Sequence, residues 1–93
     1  MIKKVFTVYD EKAQAYLQPF FMDTIGLAIR AIGDCMSDPD HNFSRYASDF
    51  TLFCISEFDD ATGQFDPNFT KISLGSLVEF KKQNLPAADE MES

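Results

Sequence analysis

The sequence predicts an α+β fold: a single small domain over residues 1–85, built as a ββα-ββα pseudo-repeat with a four-stranded, mostly antiparallel sheet and two helices. Three observations predict it. Residues 5–31 and 54–80 echo each other at a constant offset of 49, without a gap. In that echo Tyr9 falls on Phe58, Asp10 on Asp59, Tyr16 on Phe65, Phe20 on Phe69 and Gly26 on Gly75. Only three of the 27 pairs are identities, so the echo is one of pattern and does not prove duplication. Each copy opens with β-branched and aromatic residues followed by an acidic turn, which is hairpin composition. Each then offers a hydroxyl residue, Thr24 or Ser73, ahead of an apolar stretch, the usual start of a helix.

In chain order, Ile2, Lys4, Phe6 and Val8 alternate with Lys3, Val5, Thr7 and Tyr9, giving a strand over residues 2–9. A polar turn at residues 10–13 leads to a second strand over 15–21, in which Pro19 belongs at an edge or bulge. Asp23 or Thr24 caps a helix whose stripe is Ile25, Ala28, Ile29, Ile32 and Met36, and Pro39 stops it. Residues 37–49 read as the longest irregular connection. The third strand, 50–58, places Phe50, Leu52, Cys54 and Phe58 on one face by alternation, and Phe53 and Ile55 on the other. The turn at residues 59–63 ends on Gly63, suited to a positive φ, and a short fourth strand lies around Gln64 and Phe65. Residues 72–82 fit both a helix and a strand, and the echo favours the helix.

Ten Phe, three Tyr and no Trp make the core unusually aromatic. No apolar run approaches the roughly 18 residues of a membrane span, and the start lacks a signal-peptide apolar region. A cytosolic protein, neither embedded in a membrane nor exported by a classical route, is therefore expected. Cys35 and Cys54 read as reduced, buried thiols. Net charge is −7, and the residues 86–93 carry three acids and no base, so they read as a disordered acidic tail. Such a balance repels phosphate at long range, so any nucleic-acid contact needs a local basic patch or oligomer symmetry.

Enzyme chemistry finds little support. Asp34, Asp38, Asp40 and His41 lack the regular oxygen spacing and turn glycine of a hard-cation loop. One His and two separated Cys do not make a zinc site. No GxSxG elbow, P-loop or dinucleotide fingerprint occurs. A non-enzyme without cofactor or metal is expected. Seven of the eight basic residues are candidate phosphate contacts, Lys3, Lys4, Arg30, Arg45, Lys71, Lys81 and Lys82, with Tyr9, Phe43 and Tyr46 as candidate exposed rings. Lysines beside aromatic faces are how single-stranded nucleic acid is held. If the two units pack side by side, the chain ends bring both lysine pairs together. The bland alternative is that these lysines only solubilise exposed ends.

The blocks KKVFTVYDEKAQAYLQPFF, TIGLAIRAIGD followed by Asp38-Pro39, DFTLFCISEFDDATGQF and SLGSLVEF occur in order over residues 1–80. Together they resemble the small nonstructural proteins of gokushoviruses, single-stranded DNA phages of the microvirus group. The resemblance implies a phage protein linked to single-stranded DNA synthesis and packaging and labelled DNA-binding, with no family binding residues to carry over. Two expectations follow: a module binding single-stranded DNA, as a homo-oligomer that concentrates its lysines, or a protein–protein adaptor or inhibitor acting on phage replication or capsid proteins, including an acidic DNA mimic.

Overall fold

The computed structural model describes residues 1–83. Its framework is two long antiparallel strands, β1 (Ile2–Asp10) and β4 (Phe50–Asp59), paired along their whole lengths. On the outer edge of β1 lie β2 (Ala15–Tyr16) and then β3 (Phe20–Met22). On the outer edge of β4 lie β5 (Gln64–Phe65) and β6 (Ile72–Ser76). The expected four strands are thus corrected: among the described residues the antiparallel sheet has six, because each outer column is broken in two. Pro19 explains the first break, since it has no N–H to give the ladder. The buried Thr7 hydroxyl donates to the Leu17 carbonyl at 2.6 Å, satisfying a group beside that break.

The two hairpins share one register. Tyr9 pairs with Tyr16 and Asp10 with Ala15, just as Phe58 pairs with Phe65 and Asp59 with Gln64. Each turn is held by its leading aspartate: Asp10 Oδ1 accepts from the N–H groups of Lys12 and Ala13, and Asp59 Oδ1 from that of Ala61. Each contains one residue at positive φ, Gln14 at 56° and Gly63 at 75°.

Beyond the hairpins the echo fails, and the ββα-ββα plan with it. Gly26 sits in the first turn of α1 (Ile25–Met36), whereas Gly75 lies in β6 at φ 125°. Ser73 is a strand residue, and α3 (Leu77–Gln83) begins four residues later. The alternating residues of β6 satisfy backbone groups on the edge of β4, which would otherwise lack partners. The segment that fitted both helix and strand is therefore strand first and helix second. Another correction falls on residues 37–49, where α2 (Asn42–Arg45) and a 3-10 turn (Ala47–Asp49) form. The described residues thus hold three α-helices rather than two.

Thr24 does cap α1, its hydroxyl accepting from Leu27 N–H at 3.1 Å. The helix buries Ala28, Ile32 and Met36 against Phe6, Val8, Leu52 and Cys54 of the sheet, and Leu77 and Phe80 of α3 close the same core. Each fully buried large side chain of this kind contributes roughly 1.5–3 kcal/mol. All of this lies on one side of the sheet.

A β-bulge decides what lies on the other side. The β1–β4 register slips by one between Val5 and Phe6, leaving Ile55 without a partner in the ladder. One extra residue turns the following side chains to the opposite face. Phe50, Leu52 and Cys54 stay in the core, but Phe58 is placed with Phe53 on the open face, against the face assignment from simple alternation. The expected domain end at residue 85 and the acidic tail at 86–93 lie outside the described residues. Among the described residues no helix is long and apolar enough to cross a membrane.

Candidate nucleic-acid interface

The open face of the sheet carries two clusters of aromatic rings. In the first, Tyr9 from β1 meets Tyr16 from β2 at 4.7 Å between centroids, and Tyr16 meets Phe53 from β4 edge-on at 5.7 Å. Lys71, just before β6, lies across these rings, its Nζ 4.7 Å from the Tyr16 centroid and 5.0 Å from that of Phe53. The same ammonium donates to the Tyr16 hydroxyl. A cation over a ring face is held by the ring's quadrupole. None of the ion pairs among the described residues uses Lys71.

In the second cluster Phe58 from β4 meets Phe65 from β5 at 5.1 Å and Phe21 from β3 edge-on at 5.6 Å. Lys3, paired with Phe58 across the ladder, stands beside these rings. Its ammonium binds Asp23 Oδ1 at 2.7 Å, and that hydrogen bond raises the lysine pKa above its ordinary value. Tyr16, Phe21 and Phe65 remain 45%, 46% and 54% exposed despite their mutual contacts. Scattered exposed rings need no explanation, but rings grouped in two clusters on one face make that face a candidate interaction surface.

Of the residues singled out from sequence, Tyr9, Lys3 and Lys71 share this face. Lys4 is on the other side, in an ion pair with Glu57 at 2.7 Å. Arg30 is exposed on α1, which covers that other side. Arg45 stacks on Tyr46 at 5.1 Å and donates to its hydroxyl at 3.1 Å, so the two occupy each other at the end of α2. Phe43 is half-buried, packed edge-on against Phe50 at 4.9 Å, on the side of the sheet that carries the helices. Lys81 is exposed on α3, and Lys82 belongs to the same helix. The ladder puts the last strand residue before α3, Ser76, beside Thr51 and puts Lys3 beside Phe58, at opposite ends of β4.

Sequence reasoning missed Tyr16, Phe21, Phe53, Phe58 and Phe65 as a set. The signal for three of them, Tyr16, Phe58 and Phe65, was present. Tyr9 on Phe58 and Tyr16 on Phe65 are aromatic positions of the echo itself, and paired aromatics across a hairpin lie on one face. Phe58 was hidden by the bulge, which no residue pattern announces.

A family model described as Phage ORF5 protein matches residues 3–80. The chain belongs to the Phage ORF5 protein family. That match spans Lys3 to Phe80, and so takes in both ring clusters and every strand that presents them. No curated protein and no solved structure matches the chain. The ORF5 description establishes a phage protein and leaves its chemistry to be argued from the surface.

His41 Nδ1 accepts from Phe43 N–H at 3.0 Å and caps α2. No group of three or more His, Cys, Asp or Glu among the described residues is arranged to hold a metal ion. Cys35 and Cys54 are free thiols whose pKa burial pushes up, which makes them poor nucleophiles.

Proposed function

We propose that this phage protein is a non-enzymatic module that binds single-stranded DNA on the open face of its sheet. The observation that carries the reading is the set of half-exposed rings with Lys71 laid across them. Bases unstacked from a duplex offer flat π-faces to such rings, and the backbone phosphate takes the cation. The resemblance to gokushovirus nonstructural proteins supports placing this binding in the host bacterial cytoplasm, in genome synthesis and packaging. A homo-oligomer would line up several such faces along one strand.

The test is anisotropy of a labelled oligothymidylate across a salt titration. Replacing Tyr16 by Ala removes a stacking ring and should cost roughly 1–3 kcal/mol of binding. Arg30→Ala, on the far side, should leave affinity within about twofold, as expected for a charge remote from a bound phosphate. Absence of binding by the wild type at low salt retires the proposal.

The net charge of −7 favours a second reading, an adaptor or inhibitor acting on phage replication or capsid proteins. In that case the rings would seat a protein, and a pull-down with the intact chain would recover a phage or host replication protein only when Tyr16 and Phe65 are present.

A further inference from the structure

The two ring clusters are related by the local two-fold arrangement of the hairpins. Tyr9 and Tyr16 in one stand where Phe58 and Phe65 stand in the other, at opposite ends and opposite edges of the β1–β4 pair. Each cluster is completed from neighbouring strands by a third ring and a lysine: Phe53 with Lys71 in the first, Phe21 with Lys3 in the second. The clusters match in rings and differ in charge. Lys71 rests on rings, with none of the described ion pairs using it, while Lys3 is tied to Asp23.

From this arrangement we infer that the open face holds two nucleotide subsites on one strand, and that Asp23 is the residue that limits the second by neutralising Lys3. This rests on the reading of the face as a single-strand binding surface. Lys3 and Thr7 lie four residues apart on β1, so the rows bearing Phe58 and Phe53 are roughly 13 Å apart. A short single strand crossing β1 and β4 therefore meets both sets of rings. At the first subsite a phosphate draws Lys71 off Tyr16 and Phe53, freeing their faces for a base. At the second, rings stack but the cation is already engaged by a carboxylate, which also repels the phosphate. The local two-fold would let a strand of either polarity find similar rings, and Asp23 removes that equivalence by leaving one charged end.

The experiment is fluorescence anisotropy with the full chain and a labelled oligothymidylate long enough to cross the sheet, read as log K against log salt concentration. Wild type, Tyr16→Ala, Phe65→Ala, Lys71→Gln, Asp23→Asn and the double variant Lys3→Gln/Asp23→Asn are compared, each checked for a wild-type melt. Both ring variants should weaken binding, by roughly 5- to 150-fold. The salt slope should flatten by about 0.7 in Lys71→Gln and steepen by about 0.7 in Asp23→Asn, with tighter binding, as one phosphate contact is lost or gained. The double variant removes the cation together with its carboxylate, so it should show neither the tighter binding nor the steeper slope of Asp23→Asn. If the wild type binds but Phe65→Ala is unaffected, or Asp23→Asn leaves the slope unchanged, the two-subsite assignment is overturned while the binding surface stands. If the double variant loses a slope contribution, Lys3 was already engaging phosphate and the limiting role of Asp23 is wrong. No binding by the wild type overturns both.

Discussion

Gln14 and Gly63 occupy the same place in two hairpins of identical register, and both hold φ in the left-handed region, at 56° and 75°. Only one of them is suited to it. A residue with a Cβ pays roughly 1–2 kcal/mol there. Replacing Gln14 by Gly relieves that strain and adds freedom to the unfolded chain worth roughly 0.4–1 kcal/mol in the other direction. The net expectation is a gain of about 0.5–1 kcal/mol, or an increase in Tm of roughly 2–8 °C for a domain of this size. A Cβ built on Gly63 meets nothing within 4 Å, so Gly63→Gln has no steric clash to blame and should lose about the same amount by conformation alone. Thermal melts followed by circular dichroism, with urea midpoints as a second measure, decide it. If Gln14→Gly is destabilising, or Gly63→Gln is neutral, the two turns do not share a strained position and the local two-fold of the sheet loses its clearest support.

Two further expectations concern the core and the chain start. Ile32 is 4% exposed, so Ile32→Asp buries an unpaired charge and should abolish a cooperative melt, whereas Ile29→Asp, at a half-buried position, should be milder. A wild-type melt for Ile32→Asp would show that α1 is misfaced. The Met1 ammonium binds Asp60 Oδ1 at 2.8 Å, which lowers the carboxyl pKa from 3.8 and raises that of the ammonium from 8.0. The carboxylate's contribution is present above 3.8 and fades as pH falls through its depressed pKa; the ammonium's is full below 8.0 and fades as pH rises through its elevated one. An NMR titration of the Asp60 carboxyl with a midpoint at or above 3.8 would refute the pairing.

What could be read from sequence was what the neighbouring residues decide. Alternation in residues 2–9, the aspartate-led turns, the Thr24 cap and the stripe from Ile25 to Met36 are local, and their chemistry acts within a few residues. Most of the failures lie where a distant strand intervenes; α2 and the 3-10 turn within residues 37–49 are the exception, being held by local contacts. Ile72 to Ser76 has helical and extended readings of similar merit, and the free edge of β4 selects the extended one. The bulge at Ile55 is visible only in the register against β1, yet it alone carries Phe58 to the open face. The candidate site suffered for the same reason: lysines were grouped by position in the chain, while the sheet groups Lys71 with Tyr16, 55 residues away.

The net charge of the chain says less about this face than its magnitude suggests. Registers fix which way each paired residue points, and the acidic residues among the paired strands, Asp10, Glu57 and Asp59, alternate onto the side that carries the helices. The positions registered onto the open face are aromatic, aliphatic, hydroxyl-bearing or lysine. At physiological ionic strength an exposed charge is screened over roughly 8 Å, comparable to the roughly 10 Å spacing of packed layers. Carboxylates on the helix side would therefore slow the approach of a polyanion more than they would weaken the proposed contact with Tyr16 and Lys71. Affinity on such a face would come mainly from stacking and only in small part from ion release, so its salt dependence should be shallow for a nucleic-acid binder. A steep slope, of the kind produced by six or more phosphate contacts, would mean that the strand lies elsewhere on the molecule.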